Sequence, residues 1–370
     1  MVFSFLGAYD PAYPRNAILR FGLERNGAQI RECRLPKSLK FWMRYPVGLS
    51  RYSRTIRRSD VIFVPEFCHK DVPLGTILSS FSAKPIVFDP LAGRYETKVI
   101  DWKRRKPGTV RAWWNGTIDR ISFGLSDLIL ADTEAHKQYY CRTYGLPGDK
   151  VAVIPVGYDD RLFRPGLGAS ARGAGKPAAE FTVLFFGSFL PLHGAESIIE
   201  AAAMLARKAP SVKFRFIGSG QTLDRVRIRA DCLALQNVAF DGWLKMDELP
   251  ALIAAADVCL GIFGETEKAR RVVPHKVFQS MGMGKPVITA RTPAAEEFFH
   301  HRKDIFFCDP PYAKSLAAAI LALKADASLR RGIAEKGQEL VSKKYSPLPL
   351  GKMLLDVMAE RGLGERGETR

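Results

Sequence analysis

Two kinds of segment alternate along the chain. Short apolar runs dense in β-branched and aromatic residues, at 2–6, 60–66, 85–89, 128–131 and 151–155, are separated by longer stretches, 14–25, 72–83, 111–126 and 133–144, with apolar positions at helical spacing. Such runs fit strands covered on both faces, and the intervening lengths fit crossover helices, so the pattern predicts a parallel sheet of βαβ units. The rhythm then stops: residues 166–177 are rich in Gly, Ala and Ser and show no periodicity, as in a flexible connector. It resumes with strand-like runs at 181–186, 213–217, 238–240, 258–263, 286–289 and 305–308. A last amphipathic stretch, 348–360, follows Pro347 and Pro349 and reads as a helix docked on the surface.

The expected architecture is α/β. A Rossmann-like domain spans 1–165, a Gly/Ala-rich linker 166–179, a second Rossmann-like domain 180–345, and a helical segment that packs back on the surface 346–370. A length of 370 residues agrees with two domains. Two doubly wound sheets facing each other set the carboxyl ends of their strands around one cleft, where open parallel sheets bind ligands. A chain that is 47% hydrophobic and 25% charged is neither disordered nor a coiled coil. No apolar run approaches the ~20 residues that cross a bilayer. Residues 1–6 lack a basic flank and read as a first strand rather than a leader. The six cysteines form no C-x-x-C, which argues against zinc or a disulfide framework and for a reducing, cytoplasmic home.

Three segments can carry chemistry. In the first, a strand ends at Gly187, followed by Ser188, a short turn with His193, and Gly194 at the start of a helix. Free backbone N–H groups and the positive end of that helix converge there, which suits a diphosphate; the structural alternative is an ordinary strand-to-helix turn. The second is the turn with Gly218 and Gly220 one βα unit later, weak alone but able to close the other side of the same pocket. The third runs from Lys268 and Arg271 through Pro274 into a helix that sets Lys276 and Gln279 at i and i+3 on one face, fit for ribose hydroxyls and a phosphate or, equally, for solvent.

In this order the segments resemble glycosyltransferase family 4, whose members have the GT-B fold and transfer sugars from nucleotide donors with retention of configuration. The resemblance spans nearly the whole chain: 153–165 is similar to the segment that closes the family's N-terminal domain, 186–195 to its phosphate loop, 237–257 with Trp243 to the stretch lining its base pocket, and 274–288 to its donor-binding helix. It implies a nucleotide sugar as donor, no cofactor and no bound metal. Two features depart from the family pattern. Ser188 and His193 replace the basic residues of the phosphate loop, and the two family glutamates fall on Arg271 and Gln279, so that Arg271 with Lys268 is the expected substitute cation. On the acceptor side the loop with Gly7, Tyr9, Arg15 and Asn16 matches one that faces the sugar and leaving phosphate, and Asp89 stands where many members carry a histidine after the fourth strand. Asp89 is the catalytic candidate, with capping of the following turn as its structural alternative. His69 and His136 read as solvated.

The charge is +18 overall, and residues 1–180 carry 29 Lys/Arg against 17 Asp/Glu. Nine basic residues lie among Phe41, Trp42, Tyr45 and Tyr52 between 31 and 58, and Lys103, Arg104, Arg105 and Lys106 precede Trp113 and Trp114. The combination fits an anionic membrane surface or a phosphorylated, lipid-linked or glycan acceptor; a solvated face with the tryptophans packed inside is the structural alternative. No nucleic-acid-binding signature accompanies the charge. The expected function is therefore retaining sugar transfer in cell-surface polysaccharide or glycolipid synthesis. A nucleotide-sugar-binding subunit with weak catalysis and a sugar-nucleotide epimerase are the alternatives.

Overall fold

The computed structural model describes residues 1–167 and 180–364. The chain forms two compact units, one built from Met1–Val156 together with the chain from Ser346 onward, the other from Gly157–Tyr345. The first unit thus closes at 156 rather than at the expected 165. The physical reason lies in residues that fasten the intervening segment to the second unit: Tyr158 N donates to Tyr345 O (3.2 Å), and the Tyr158 ring covers Gly282, where a Cβ would meet it at 2.4 Å. The expected linker falls, from residue 168 on, outside the described residues.

Unit 1 is a parallel sheet in the order β2-β1-β3-β4-β5-β6, with β1 at Val2–Gly7, β2 at Gln29–Arg34, β3 at Val61–Val64, β4 at Ile86–Phe88, β5 at Leu128–Ala131 and β6 at Val151–Val153. The interior strands are apolar on both faces, and Phe5 stacks on Phe63 at 4.5 Å where β1 and β3 pair. β2 is an edge strand that buries only Cys33. Its charged side chains carry no apolar signal, so the hydrophobic pattern passes over it. The helices Pro14–Arg25, Val72–Ser80, Val110–Leu125 and Glu134–Tyr144 are the crossovers; Thr109 and Thr133 cap the last two through hydroxyls that accept from Ala112 N and His136 N.

The C-terminal helix Pro347–Glu360 lies on Pro14–Arg25 and belongs to unit 1. The crossing needs two glycines: a Cβ on Gly22 would lie 2.1 Å from Pro347 O, and one on Gly351 2.2 Å from Gly22 O. Around it Leu350, Leu354 and Met358 are fully buried.

Unit 2 has the order β12-β11-β10-β7-β8-β9, with β7 at Phe181–Gly187, β8 at Val212–Gly218, β9 at Val238–Asp241, β10 at Val258–Leu260, β11 at Val287–Ala290 and β12 at Phe306–Cys308. Its core joins Phe185, Phe189, Phe214 and Phe216 to Ile198, Leu205, Leu316 and Ile320 from the covering helices. In each unit the chain reverses direction across the sheet at one point, between β1 and β3 in unit 1 and between β7 and β10 in unit 2. Loops diverge to opposite faces there and leave a crevice at the carboxyl ends of the strands.

Candidate functional site

At the switch point of unit 2 three strand exits are bound together through their backbones. β7 leads through Ser188 to a single turn at Pro191–His193, then through Gly194 at φ +59° into the helix Ala195–Lys208. The exit of β8 lies against it so closely that a Cβ on Gly218 would be 2.0 Å from Gly187 O and one on Gly220 1.6 Å from Ser188 O. Thr222 N donates to Phe189 O (2.9 Å). From the β10 side, Phe263 N donates to His193 O (2.9 Å) and Gly264 N to Leu192 O (3.2 Å). The helix that starts at Ala195 opens with N–H groups that its own turns do not use, at the positive end of its dipole.

Into this backbone cradle the helix His275–Gly282 delivers Lys276. A Cβ on Gly187 would meet its Nζ at 2.9 Å and His193 Cε1 at 3.1 Å, and the Nζ sits 4.0 Å from the centroid of the Phe185 ring. The side chain is 6% exposed and its ammonium has no hydrogen-bond partner among the described residues. Burial holds its pKa well below the ordinary lysine value. His193, buried beside it, is held well below the ordinary histidine value by burial and by the Lys276 charge. Leu190 N donates to His193 Nδ1 (3.4 Å), which leaves the proton of the neutral ring on Nε2. An ammonium enclosed without a counter-charge is costly, and an anion bound at the cradle removes the cost.

The other expected donor-side residues lie elsewhere along unit 2. Gln279 is buried with Nε2 4.0 Å from Met246 Sδ. Trp243 is 67% exposed in the loop after β9. Lys268 is buried. Arg271 faces Glu267 at 3.6 Å, and the cation that the structure sets against the glycine turn is Lys276.

In unit 1, Gly7 sits at φ +150° with Cys68 Sγ 2.7 Å from where a Cβ would be, and Ala8 N donates to Asp71 Oδ2 (2.9 Å). Arg15 and Asp89 are brought together, but as partners of each other: Arg15 Nε donates to Asp89 Oδ2 (2.7 Å) and its Nη1 to Ile154 O (2.9 Å) and Pro155 O (2.6 Å), with both side chains 1% exposed. The pair locks the exits of β4 and β6 and turns no open face to a ligand. Burial raises the Asp89 carboxyl, against the pull of Arg15.

The histidines expected in solvent are interior ones. His69 is fully buried and lowered to about 3 by desolvation. His136 is also fully buried; desolvation opposes its charge, but Asp132 at 2.5 Å and Glu96 at 3.4 Å raise it to about 9. Trp113 and Trp114, in turn, lie outside, 63% and 36% exposed. One group went unremarked in the sequence: Glu66, in the exit loop of β3, is 4% exposed and is raised to about 9 by burial and by the Asp89 charge.

The two sheets, each with a switch-point crevice, define the GT-B class, and the solved relatives show that fold. Anabaena HepE in complex with UDP-glucose matches with a TM-score of 0.73 over 97% of this chain and 99% of its own at 18% identity, and sucrose-phosphate synthase from Thermosynechococcus elongatus with 0.75 over 98% of both at 17% identity. In sequence, the family model Glycosyl transferases group 1 matches residues 170–340. The lipopolysaccharide core biosynthesis glycosyltransferase LpsE of Rhizobium meliloti is 27% identical over 50% of this chain and 52% of its own length. The GDP-mannose-dependent alpha-(1-6)-phosphatidylinositol monomannoside mannosyltransferase of Mycobacterium tuberculosis is 26% identical over 65% and 63%. The chain spans between about half and two thirds of the length of these curated relatives.

Proposed function

We propose that the protein is a glycosyltransferase of the retaining, family 4 type, moving a sugar from a nucleotide diphosphate to a glycan or lipid-linked acceptor in cell-surface polysaccharide or glycolipid synthesis. Lys276 carries the reading: a buried, unpartnered ammonium at a glycine turn and a helix amino end is a site for the diphosphate of a donor. The relatives support it, being glycosyltransferases of lipopolysaccharide and mannoside assembly and, in HepE, a protein complexed with UDP-glucose. As the bond from the anomeric carbon to the diphosphate oxygen breaks, the electron pair stays on the diphosphate. Lys276, the Nε2–H of His193 and the first N–H groups of Ala195–Lys208 oppose the charge that gathers there. The acceptor hydroxyl enters on the same face and gives its proton to the departing oxygens, so the protein supplies alignment and electrostatics and this chemistry uses no bound metal.

Unit 1 has the surface for a cytoplasmic enzyme that rests on an anionic membrane. Trp42, Val110 and Trp113 are exposed, the Phe41 and Trp114 rings meet at 6.2 Å and join the two segments, and Lys70 lies 5.2 Å over Phe41. No helix among the described residues is long and apolar enough to cross a membrane. A binding subunit without transfer is the second reading, favoured by Arg271 and Gln279 where two carboxylates are expected.

Calorimetric titration with UDP and GDP, followed by assay of UDP-glucose and GDP-mannose turnover, tests the proposal. The expected result is binding of one nucleotide, weakened about 30-fold or more in Lys276→Ala by loss of a charge-assisted contact, with sugar released or transferred by the unaltered protein. Unchanged affinity in Lys276→Ala overturns the site, and binding without turnover favours the second reading.

A further inference from the structure

We propose that a diphosphate enters the glycine turn of unit 2 together with a proton, which Nζ of Lys276 takes from solvent. The empty turn then holds a neutral amine, and the occupied turn an ammonium. That the ligand is a diphosphate rests on the reading above; the proton that accompanies it does not.

The geometry denies the empty turn a stable cation. Lys276 is the second residue of the helix His275–Gly282, so its side chain leaves from the amino end of that helix. The turn it reaches, Pro191–His193, leads through Gly194 into the amino end of Ala195–Lys208. Each end carries the positive pole of a helix dipole, which disfavours a cation beside it. The groups that touch Lys276 supply no opposing charge. From β7 come the Phe185 ring, 4.0 Å from Nζ, and the backbone of Gly187; from the turn comes His193, the titratable group that faces it. The exits of β8 and β10 join this turn through Gly218, Phe263 and Gly264, which are uncharged, and Glu265 beyond them is exposed. In the segment that leads into the helix, Arg271 faces Glu267 and Lys268 is itself a cation. His275 turns its Nδ1 to Gly157 O (3.0 Å). The helix Ala327–Lys344 packs at the far end, where a Cβ on Gly337 would meet Met281 Cε at 3.0 Å.

Among the described residues Nζ thus has neither a hydrogen-bond partner nor an ion pair. Attraction to the face of one ring does not offset the removal of an ammonium from water, so the amine sheds its proton, and burial lowers its pKa accordingly. A diphosphate reverses the balance, because its negative oxygens favour the charged amine and accept its hydrogens. On binding, one proton passes from solvent to the lone pair of Nζ, and no bond of the ligand changes. His193 does not take that proton: Leu190 N donates to its Nδ1, and a charged ring next to a charged Nζ is disfavoured. By linkage, affinity falls as pH rises between the pKa of the empty amine and that of the occupied one.

Calorimetric titration of the full chain with UDP-glucose and GDP-mannose, diesters whose diphosphate oxygens do not titrate near neutrality, tests the coupling. It is run at about pH 8, above the ordinary histidine range and below that of lysine, in buffers that differ in heat of ionisation. The slope of observed heat against buffer heat counts the protons taken up. The expected count is about one in the unaltered chain and about zero in Lys276→Met and in Lys276→Arg, whose guanidinium keeps its proton throughout. Affinity of the unaltered chain falls on the alkaline side by up to about tenfold per pH unit, the limit for one proton. Both variants give flat profiles, Lys276→Met the weaker, and thermal melting identifies any variant that fails to fold. Binding without proton uptake, or uptake that persists in Lys276→Met, overturns the proposal and leaves the diphosphate site standing. A chain that binds neither nucleotide sugar refutes the transferase reading and this inference with it.

Discussion

The two units solve the same topological problem with opposite materials. Each places a crevice where its sheet changes direction, but unit 2 sets glycine backbones and the buried Lys276 there, whereas unit 1 buries carboxyl, amide and phenol groups in the segments that follow β1 and β3. A backbone cradle with a positive charge is indifferent to the stereochemistry of what it holds and suits a diphosphate common to many donors. Directional oxygens discriminate between hydroxyls. The outer surfaces differ as well: Phe81, Trp42, Val110 and Trp113 expose apolar area on unit 1, close to the basic runs. The scaffold is therefore shared, and the units differ in which polar groups their loops bury.

The largest break of this contrast is expected at the ion pair of unit 1. Arg15→Met removes the guanidinium that satisfies Asp89 and the carbonyls of Ile154 and Pro155, leaving a buried carboxylate alone. The expected loss is about 3–5 kcal/mol of unfolding free energy, read from urea denaturation. A loss under about 1 kcal/mol, the range of an exposed pair, contradicts the interior role given to Arg15 and Asp89 and returns Asp89 to candidacy as a catalytic group.

Membrane contact comes next. Replacing Lys103, Arg104, Arg105 and Lys106 by Gln removes four charges beside the exposed tryptophans, each worth about 1 kcal/mol at an anionic surface. Sedimentation with phosphatidylglycerol vesicles should show affinity falling at least a hundredfold, with no change for phosphatidylcholine vesicles and no change in nucleotide binding. Equal retention of the variant and the unaltered chain on phosphatidylglycerol separates unit 1 from the membrane.

How much of this was legible follows from how local each signal is. Buried strands such as β3 and β7 announce themselves because nearly every residue is apolar, and the α/β class followed from their spacing. β2 did not, since an edge strand with one buried residue has no such run. The glycine turns of unit 2 were visible because a strand, a glycine and a helix follow one another in sequence, and Lys276 because helical spacing sets it toward the start of its helix. Arg15 and Asp89, by contrast, are 74 residues apart, and only the order of strands makes them neighbours. Glu66 reads as the polar end of a strand, and neither its burial nor that of His69 and His136 can be inferred from flanking residues. The boundary at 156 was hidden for the same reason, because it depends on Tyr158 meeting Tyr345 and Gly282.

The finest test of the contrast is the direction in which pH acts on each unit. His136 has an ordinary value of 6.5 and about 9 in the fold, so its stabilisation is complete below pH 6.5 and is lost as pH rises through 9. Glu66 acts in the same direction: the fold keeps a proton up to about 9 that an unfolded glutamate releases near 4.5, so stability declines between those values. Lys276 acts in the opposite sense. Its folded pKa lies well below 10.5, the unfolded chain binds the extra proton, and stability climbs with pH until 10.5 is reached. Each group changes the slope by at most about 1.4 kcal/mol per pH unit. Urea denaturation between pH 6.5 and 9 should therefore show a weaker decline in Glu66→Gln and a steeper one in Lys276→Met than in the unaltered chain. Lys276→Met should also be the more stable of the two at the low end, where holding the lysine away from its proton costs most. Three parallel profiles would mean that neither crevice holds its polar groups in the dry surroundings described, and the contrast between the units would reduce to their outer surfaces.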